Sequence, residues 1–337
     1  MHGLNRLLKP DSLNLVVEMG KKRLTAVLVG AGGNMRGAHI PRILRDGSVD
    51  VVSIVDPNER AVSAAQERLG YEAVSLKDWR KAIKETPSDI VIISTPHDQH
   101  FAQVKAFLQD GRHILIEKPM VTTVAHANTL IKLAKEKGLA LFVAYQRHWM
   151  REYVYARELI SKGKLGAIRG VVGYVTQDWT GLGGWRMDPV QSGGGMFMDT
   201  GSHLVASTLL VTGLMVRSAS ASADKAKQRV DLNMGVQVKF KSGAIGTFTT
   251  IGNAASHDEQ LTIVGEKGIL NLQLRGWRVR SFTLDGEPVD IPARIQHSTP
   301  DAAFFSAIRA SKRKKEYPDF AVEVARLSTA AYRSLES

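Results

Sequence analysis

The stretch LTAVLVGAGGNMRGAHIPRIL, from Leu24 to Leu44, decides the fold class of this chain. Its first six residues, Leu24 to Val29, are a short β-rich apolar run of the kind that parallel sheets bury on both faces. Glycines follow at positions 30, 32, 33 and 37, and a helical pattern opens behind them. A strand feeding a glycine turn and then a helix is the setting of a dinucleotide fingerprint. Glycine lets the backbone approach a pyrophosphate, and the helix N-terminus stabilises its charge. The spacing departs from the minimal pattern, because Met35 stands where the third glycine belongs and Gly37 comes two residues late. The loop therefore reads as a longer version. Gly30, Gly32, Gly33, Asn34 and Met35 are the expected cofactor contacts.

The next strand-like run, VDVVSIVD, ends on Asp56, 26 residues after Gly30. An acid there accepts both ribose hydroxyls of NAD and repels the 2′-phosphate of NADP. The competing role is a turn aspartate ahead of Pro57. With no arginine directly after Asp56, NAD is the expected cofactor, preferred over NADP moderately rather than absolutely, since Arg60 lies only four residues on.

Outward from this unit the alternation continues. Helical patterns around NERAVSAAQERLG, LKDWRKAI, HFAQVKAFLQDG and TVAHANTLIKLAKEKG separate the strand-like runs DIVIISTP, HILIEKP and LALFVAY, with a short extended piece near Ala73. Strands alternating with helices of this length build a doubly wound parallel sheet. After Tyr145 the texture changes: a helix, the alternating run AIRGVVGYVTQDW, a glycine-rich stretch leading into a helix to about Val211, and then GVQVKF, GAIGTFTTIG, EQLTIVG, GILNLQL and RVRSFTL between turn signals. The last forty residues return to helix. The expected fold is α/β: an N-terminal Rossmann-type sheet over residues 23–145 and a C-terminal α+β domain, 146–337, with a large, mainly antiparallel open sheet. Residues 1–22 read as an extension, in which Met19 offers an alternative translation start.

Bulk properties narrow the classes. A chain of 337 residues with 44% apolar and 23% charged content suits two globular domains. No apolar run approaches the ~20 residues of a membrane helix, and LNLVV (Leu13 to Val17) is too short for a signal-peptide core. The chain has no cysteine, which rules out disulfides and thiolate metal sites and fits a cytoplasmic location. The net charge of +12 is spread over helical segments; its one dense run, Lys312 to Glu316, reads as a solvated loop. Neither nucleic acid nor membrane is an expected partner.

The stretch GGGMFMDTGSHLV, Gly193 to Val205, carries an acid and an imidazole four residues apart, Asp199 and His203, which share a face if the run is helical. Together with STPHDQH (Ser94 to His100), ILIEKPM (Ile114 to Met120), VAYQRHW and the C-terminal AAYRS, it resembles the Gfo/Idh/MocA family of NAD(P)-dependent oxidoreductases. The resemblance runs from about Lys22 to the C-terminus. It implies that Lys118, Asp199 and His203 match a catalytic trio, and that Thr95, Pro96, Glu117, Lys118 and Gln146, with His97 and His100 beside them, line the nicotinamide end. It also implies a homodimer or homotetramer built on the second-domain sheet. His97 stands where an asparagine is frequent, and His148–Trp149 replaces a common arginine–phenylalanine pair.

The chemistry can also be argued from the residues. Oxidation of a secondary alcohol sends a hydride to the cofactor and needs a base for the hydroxyl proton. Histidine suits that task near neutrality. A lysine at the end of a parallel strand lies where such sheets place ligands, and its charge stabilises a developing alkoxide. Asp199 then orients the imidazole or a neighbouring hydroxyl; Lys118 is the alternative base if burial depresses its pKa. The glycines Gly193 to Gly195 are expected to let the chain approach the nicotinamide. Lys118, His148, Trp185, Arg186, Asp199 and His203 are the expected substrate contacts, with Trp179 a further stacking candidate. No third ligand accompanies Asp199 and His203, so no metal is expected. His39, His113, His126, His257 and His297 show no ligand spacing and carry no expected role. The expected substrate is a sugar, cyclitol or sugar derivative. A glycosidase-type enzyme using NAD transiently and a dinucleotide-sensing regulator are the alternatives.

Overall fold

The computed structural model describes residues 23–310 and 317–336. The N-terminal extension and the basic run at Lys312 to Glu316 lie outside them. Six strands form the first sheet: β1 (Leu24–Val29), β2 (Val49–Val55), β3 (Val74–Leu76), β4 (Ile90–Ile93), β5 (His113–Ile116) and β6 (Leu141–Val143). All its pairings are parallel, in the order β3-β2-β1-β4-β5-β6. The order reverses between β1 and β4, and open α/β sheets bind ligands in the crevice at that point. Helices α1 (Ile40–Asp46), α2 (Glu59–Leu69), α3 (Trp79–Glu85), α4 (His97–Gln109) and α5 (Val124–Lys137) connect the strands. The continuous Val/Ile runs of β1 and β4 are buried on both faces, as a helix-covered parallel sheet requires.

After α6 (Arg151–Ser161) comes the second sheet: β7 (Ile168–Thr176), β8 (Val216–Asp224), β9 (Asn233–Phe240), β10 (Ile245–Ile251), β11 (Asp258–Gly265), β12 (Ile269–Arg275), β13 (Arg278–Leu284) and β14 (Glu287–Pro288). Its order is β14-β13-β12-β11-β7-β10-β9-β8, antiparallel except for the β7–β10 pair. The short α7 (Pro189–Ser192) and the buried α8 (Ser202–Thr212) interrupt the run between β7 and β8. Strand β8 escapes the sequence reading because its core, RSASASA, alternates small residues without an apolar face. One face of this sheet packs on helices; on the other, Val172, Tyr174, Ile245 and Ile269 are exposed.

The chain then crosses back. Helix α9 (Pro300–Arg309) packs on β5, β6 and α1, and Phe304 and Phe305 are fully buried with Leu28, Ile92 and Leu115 of the first sheet. This corrects the expectation that everything beyond residue 145 belongs to the second domain: the first sheet leaves one flank open over Ala140, Phe142 and Ala144, and α9 closes it. Helix α10 (Phe320–Arg333) bridges α5, α8 and β8. Among the described residues, no helix is long and apolar enough to cross a membrane.

Candidate active site

A cleft of about 340 Å³ opens beyond the C-terminal ends of β1 and β4, where the strand order reverses, between the two sheets. Gly32, Gly33 and Asn34 line it together with Lys118, Asp199 and His203. Two wide helical turns shape it. The first, Met35–His39, takes up the extra loop residues that displaced the third glycine, so the helix begins at Gly33 despite the irregular spacing. The second, Phe197–Gly201, carries Asp199. Such π-turns recur where a functional side chain must be re-aimed within a helix.

The glycines of the loop divide into two kinds. A Cβ on Gly30 would lie 2.5 Å from the Ser94 carbonyl oxygen, so Gly30 lets β1 and β4 close together. Cβ atoms on Gly32, Gly33 or Gly37 would meet nothing within 4 Å. The open side of Gly32 and Gly33 is the cradle a dinucleotide requires, and the residues present fit that group. Met35, expected among the cofactor contacts, is instead a fully buried core residue against the first sheet. Asp56 holds the loop in place: Oδ2 accepts from Ala31 N–H at 2.8 Å and Oδ1 from Asn58 N–H at 2.8 Å.

Thr95, His97, Glu117, Lys118 and Gln146 line the cleft as expected. Pro96 does not; it is the residue from which α4 starts. His100 is a structural residue, since both ring nitrogens are engaged by carbonyls, Nδ1 with Pro119 at 2.9 Å and Nε2 with Thr95 at 3.0 Å. His97 donates from Nδ1 to the Ser192 carbonyl at 2.7 Å and lies edge-on to Trp185, which joins the start of α4 to the second domain. Burial pushes its pKa down to about 3, so the ring is neutral.

Lys118 and Asp199 form a partly buried ion pair, Nζ to Oδ1. The second oxygen, Oδ2, accepts from Arg186 Nε at 2.8 Å. Burial disfavours the Asp199 carboxylate, yet the Lys118 and Arg186 charges outweigh that cost and hold its pKa well below the usual range. The expectation that Asp199 orients the imidazole is therefore corrected: both oxygens serve cations. His203 is buried, its Nδ1 has no partner, and it opens to the cleft between the edges of Tyr145 and Trp277, at ring distances of 5.4 and 5.8 Å. Burial, reinforced by the Lys118 and Arg147 charges, drives its pKa well below the ordinary value. The ring is an unprotonated acceptor at neutral pH.

The triple glycine serves a purpose different from the expected one. A Cβ on Gly193 would lie 2.6 Å from Thr122 Cγ2, on Gly194 2.5 Å from the Tyr332 hydroxyl, and on Gly195 2.1 Å from the Asp231 carbonyl oxygen. The turn is crowded by protein on these three sides, and the cleft plays no part. Asp231 then fixes it, accepting from Gly195 N–H, Phe197 N–H and Tyr332 O–H at 2.8, 3.0 and 2.7 Å.

Trp185 and Arg186 line the cleft, whereas His148 is packed against Tyr145 and Phe320 and absent from its wall. Sequence reasoning missed Arg42, Ser94, Gln177, Thr200 and Trp277, all of which line it. Trp277 had a readable signal, a large aromatic in the tight turn between β12 and β13; Gln177 had none. Trp277 sits under the Arg147 guanidinium, 5.4 Å from the ring centroid, and Arg147 is itself paired with buried Glu259.

Two family patterns match the chain: the oxidoreductase family with NAD-binding Rossmann fold over residues 24–145, and the GFO/IDH/MocA C-terminal domain over residues 153–271. The uncharacterized oxidoreductase YdgJ of Escherichia coli is 28% identical over 210 residues, 60% of this chain and only 56% of that protein. The 1,5-anhydro-D-fructose reductase of Ensifer adhaerens is 28% identical over 296 residues, 83% of this chain and 87% of the reductase. The crystal structure of the WlbA dehydrogenase from Bordetella pertussis, in complex with NADH and UDP-GlcNAcA, superposes with a TM-score of 0.79 at 24% identity, over 94% of this chain and 96% of that one.

Proposed function

This chain belongs to the GFO/IDH/MocA oxidoreductase family, and we propose that it is an NAD-dependent dehydrogenase of a secondary alcohol in a sugar, cyclitol or sugar derivative. One observation carries the reading: a glycine cradle with an open face and a neutral, buried histidine share a single cleft. The reductase from Ensifer adhaerens, a sugar enzyme by its name, supports the substrate class.

In this reading Gly32, Gly33 and Asn34 take the pyrophosphate, Asp56 the adenine-side ribose, and Thr95, His97, Glu117 and Gln146 the nicotinamide end. NAD supplies the hydride acceptor. His203 takes the hydroxyl proton, and Lys118 stabilises the oxygen as negative charge builds on it. Asp199 keeps Lys118 and Arg186 side by side. Trp179, Trp185 and Trp277 line the part of the cleft that would take a sugar ring, with the Arg186 guanidinium stacked over the Trp185 ring, 4.4 Å from its centroid. The dinucleotide-binding unit comprises the chain to Tyr145 together with the returning α9, and the substrate unit begins at Gln146. The exposed apolar residues of β7, β10 and β12 support a homodimer or homotetramer through that face, measurable by light scattering. A cytoplasmic location belongs to the same reading and rests on the cysteine-free composition.

The test is NADH absorbance with a panel of sugars and polyols, alongside NAD and NADP titrations. Formation of NADH with at least one polyol, and tighter binding of NAD than NADP, is expected. Silence across the panel despite tight NAD binding overturns the dehydrogenase reading.

A further inference from the structure

His39, given no role by its sequence context, is fully buried in the wide turn Met35–His39. Both of its nitrogens meet carboxylates: Nδ1 lies 2.6 Å from Asp301 Oδ1, and Nε2 3.1 Å from Glu117 Oε1. A neutral imidazole has one N–H and one lone pair, so either tautomer would aim a lone pair at a carboxylate. Only the imidazolium satisfies both contacts. Asp301 in turn accepts from Arg42 Nη1 at 2.9 Å through its other oxygen. A line of alternating charge results: Arg42, Asp301, His39, Glu117.

Burying such a line is a poor route to stability, because desolvation consumes most of the Coulombic gain. Its geometry suggests another use. Three of its four members are anchored on α1, α9 and the turn before α1, and the fourth, Glu117, has its carboxylate partly open to the cleft beside Lys118. One Glu117 oxygen is fixed by His39. The other lies 3.3 Å from the Lys118 backbone N–H, and the Asn34 side chain of the glycine loop also donates to this carboxylate, so Glu117 is tied to the loop that cradles the cofactor.

We propose that His39 is a positioning residue of the cofactor site: it fixes the Glu117 carboxylate toward the nicotinamide end of NAD and ties that orientation to Asp301 on the helix returning from the second domain. The proposal rests on the NAD-dependent reading above. The charge balance supports it. Burial disfavours the imidazolium, yet Asp301 and Glu117 raise its pKa to about 10, and His39 in turn holds the Glu117 carboxyl below its ordinary range despite burial.

The experiment measures the Kd of NAD by tryptophan fluorescence, KM and kcat, and the thermal midpoint, for the full chain and for His39→Gln, Asp301→Asn and the double variant. Glutamine can donate to one carboxylate but carries no charge. The expected result is NAD binding weakened about tenfold or more in His39→Gln, with KM for NAD rising in step and kcat at saturating NAD within a few-fold. Asp301→Asn weakens binding less, and the double variant is no worse than His39→Gln, as for two residues acting through one line. A lowered midpoint with unchanged Kd shows a role in folding alone and overturns the proposal. If His39→Gln does not fold, Asp301→Asn decides: an unchanged Kd there overturns it equally. Failure of the unmodified chain to bind NAD would overturn the functional reading itself, a different outcome from binding that ignores His39.

Discussion

Lys118 reaches across from the end of β5 to the Asp199 carboxylate in the turn before α8, and its Nζ also lies 3.4 Å from the Asp199 carbonyl oxygen. The ion pair spans the boundary between the two sheets, so neither half of the chain assembles the site alone. Removing the charge at 199 leaves Lys118 and Arg186 adjacent and unneutralised. Asp199→Asn should lower kcat about 10- to 100-fold and Lys118→Ala about 10²- to 10³-fold. The double variant should be no worse than Lys118→Ala, because the two act as a unit. Steady-state kinetics on the best substrate checks this, and strictly multiplicative losses would show that the pair is not one device.

His203 is a neutral acceptor lining the cleft beside Lys118 and Asp199. His203→Ala should lower turnover by roughly two to four orders of magnitude, the usual reach of a general base. NAD affinity should stay within a factor of about two, since in this reading Gly32, Gly33, Asn34 and Asp56, and not His203, hold the pyrophosphate and ribose. Near-normal turnover would move the role of base to Lys118.

Two glycine substitutions should behave in opposite ways. Gly195→Ala places a methyl 2.1 Å from the Asp231 carbonyl oxygen, and such overpacking against backbone costs about 1–3 kcal/mol or more. The thermal midpoint should drop clearly. Gly33→Ala meets nothing within 4 Å, so the midpoint should hold while NAD binding weakens, because the methyl occupies the cradle. An unchanged NAD Kd in Gly33→Ala would remove that glycine from the cofactor site.

Acid should destabilise the fold before the carboxylates titrate. Burial pushes His97 and His148 down to about 3 and lowers His100 and His203 as well. Unfolded, each titrates near 6.5, so below that pH the unfolded chain binds more protons than the folded one. Stability should therefore fall as pH drops from about 6.5 toward 4. His39 acts in the opposite sense: raised to about 10, it contributes stability that is complete below about 6.5 and fades as pH rises through 10. Chemical denaturation across pH 4–10 should show a maximum near neutrality, and His39→Gln should flatten the alkaline side. An alkaline limb as steep in that variant as in the unmodified chain would refute the charged state of His39.

The strand, glycine loop, helix and acid from Leu24 to Asp56 were legible because each is a local pattern with its own period. Asp199 and His203 were legible for the same reason, four residues apart on one helical stretch. What escaped depends on partners far along the chain. His39 looked idle because Asp301 lies 262 residues away. The crowding at Gly193 to Gly195 comes from Thr122, Asp231 and Tyr332, three separate segments, so no spacing rule reveals it. Met35 occupies a glycine's place in the pattern, and the wide turn that turns its side chain into the core has no signature in residue type. His148 was misread because a histidine near a site and a histidine beneath one share the same sequence context.

The return of α9 to the first sheet changes how this molecule can be taken apart. A fragment ending at Tyr145 would leave Phe142 and Ala144 without Phe304 and Phe305 above them, an apolar flank open to water. The first two places where the chain passes between the domains are stitched together, Ser298 N–H donating to the Trp149 carbonyl at 2.9 Å. Everything from residue 150 to 297 is thus strung between two posts one hydrogen bond apart. For domain exchange, those posts and not the end of β6 mark where one substrate-binding cassette could be cut out and another sewn in, with α10 exchanged alongside it because Tyr332 holds Asp231 of that unit.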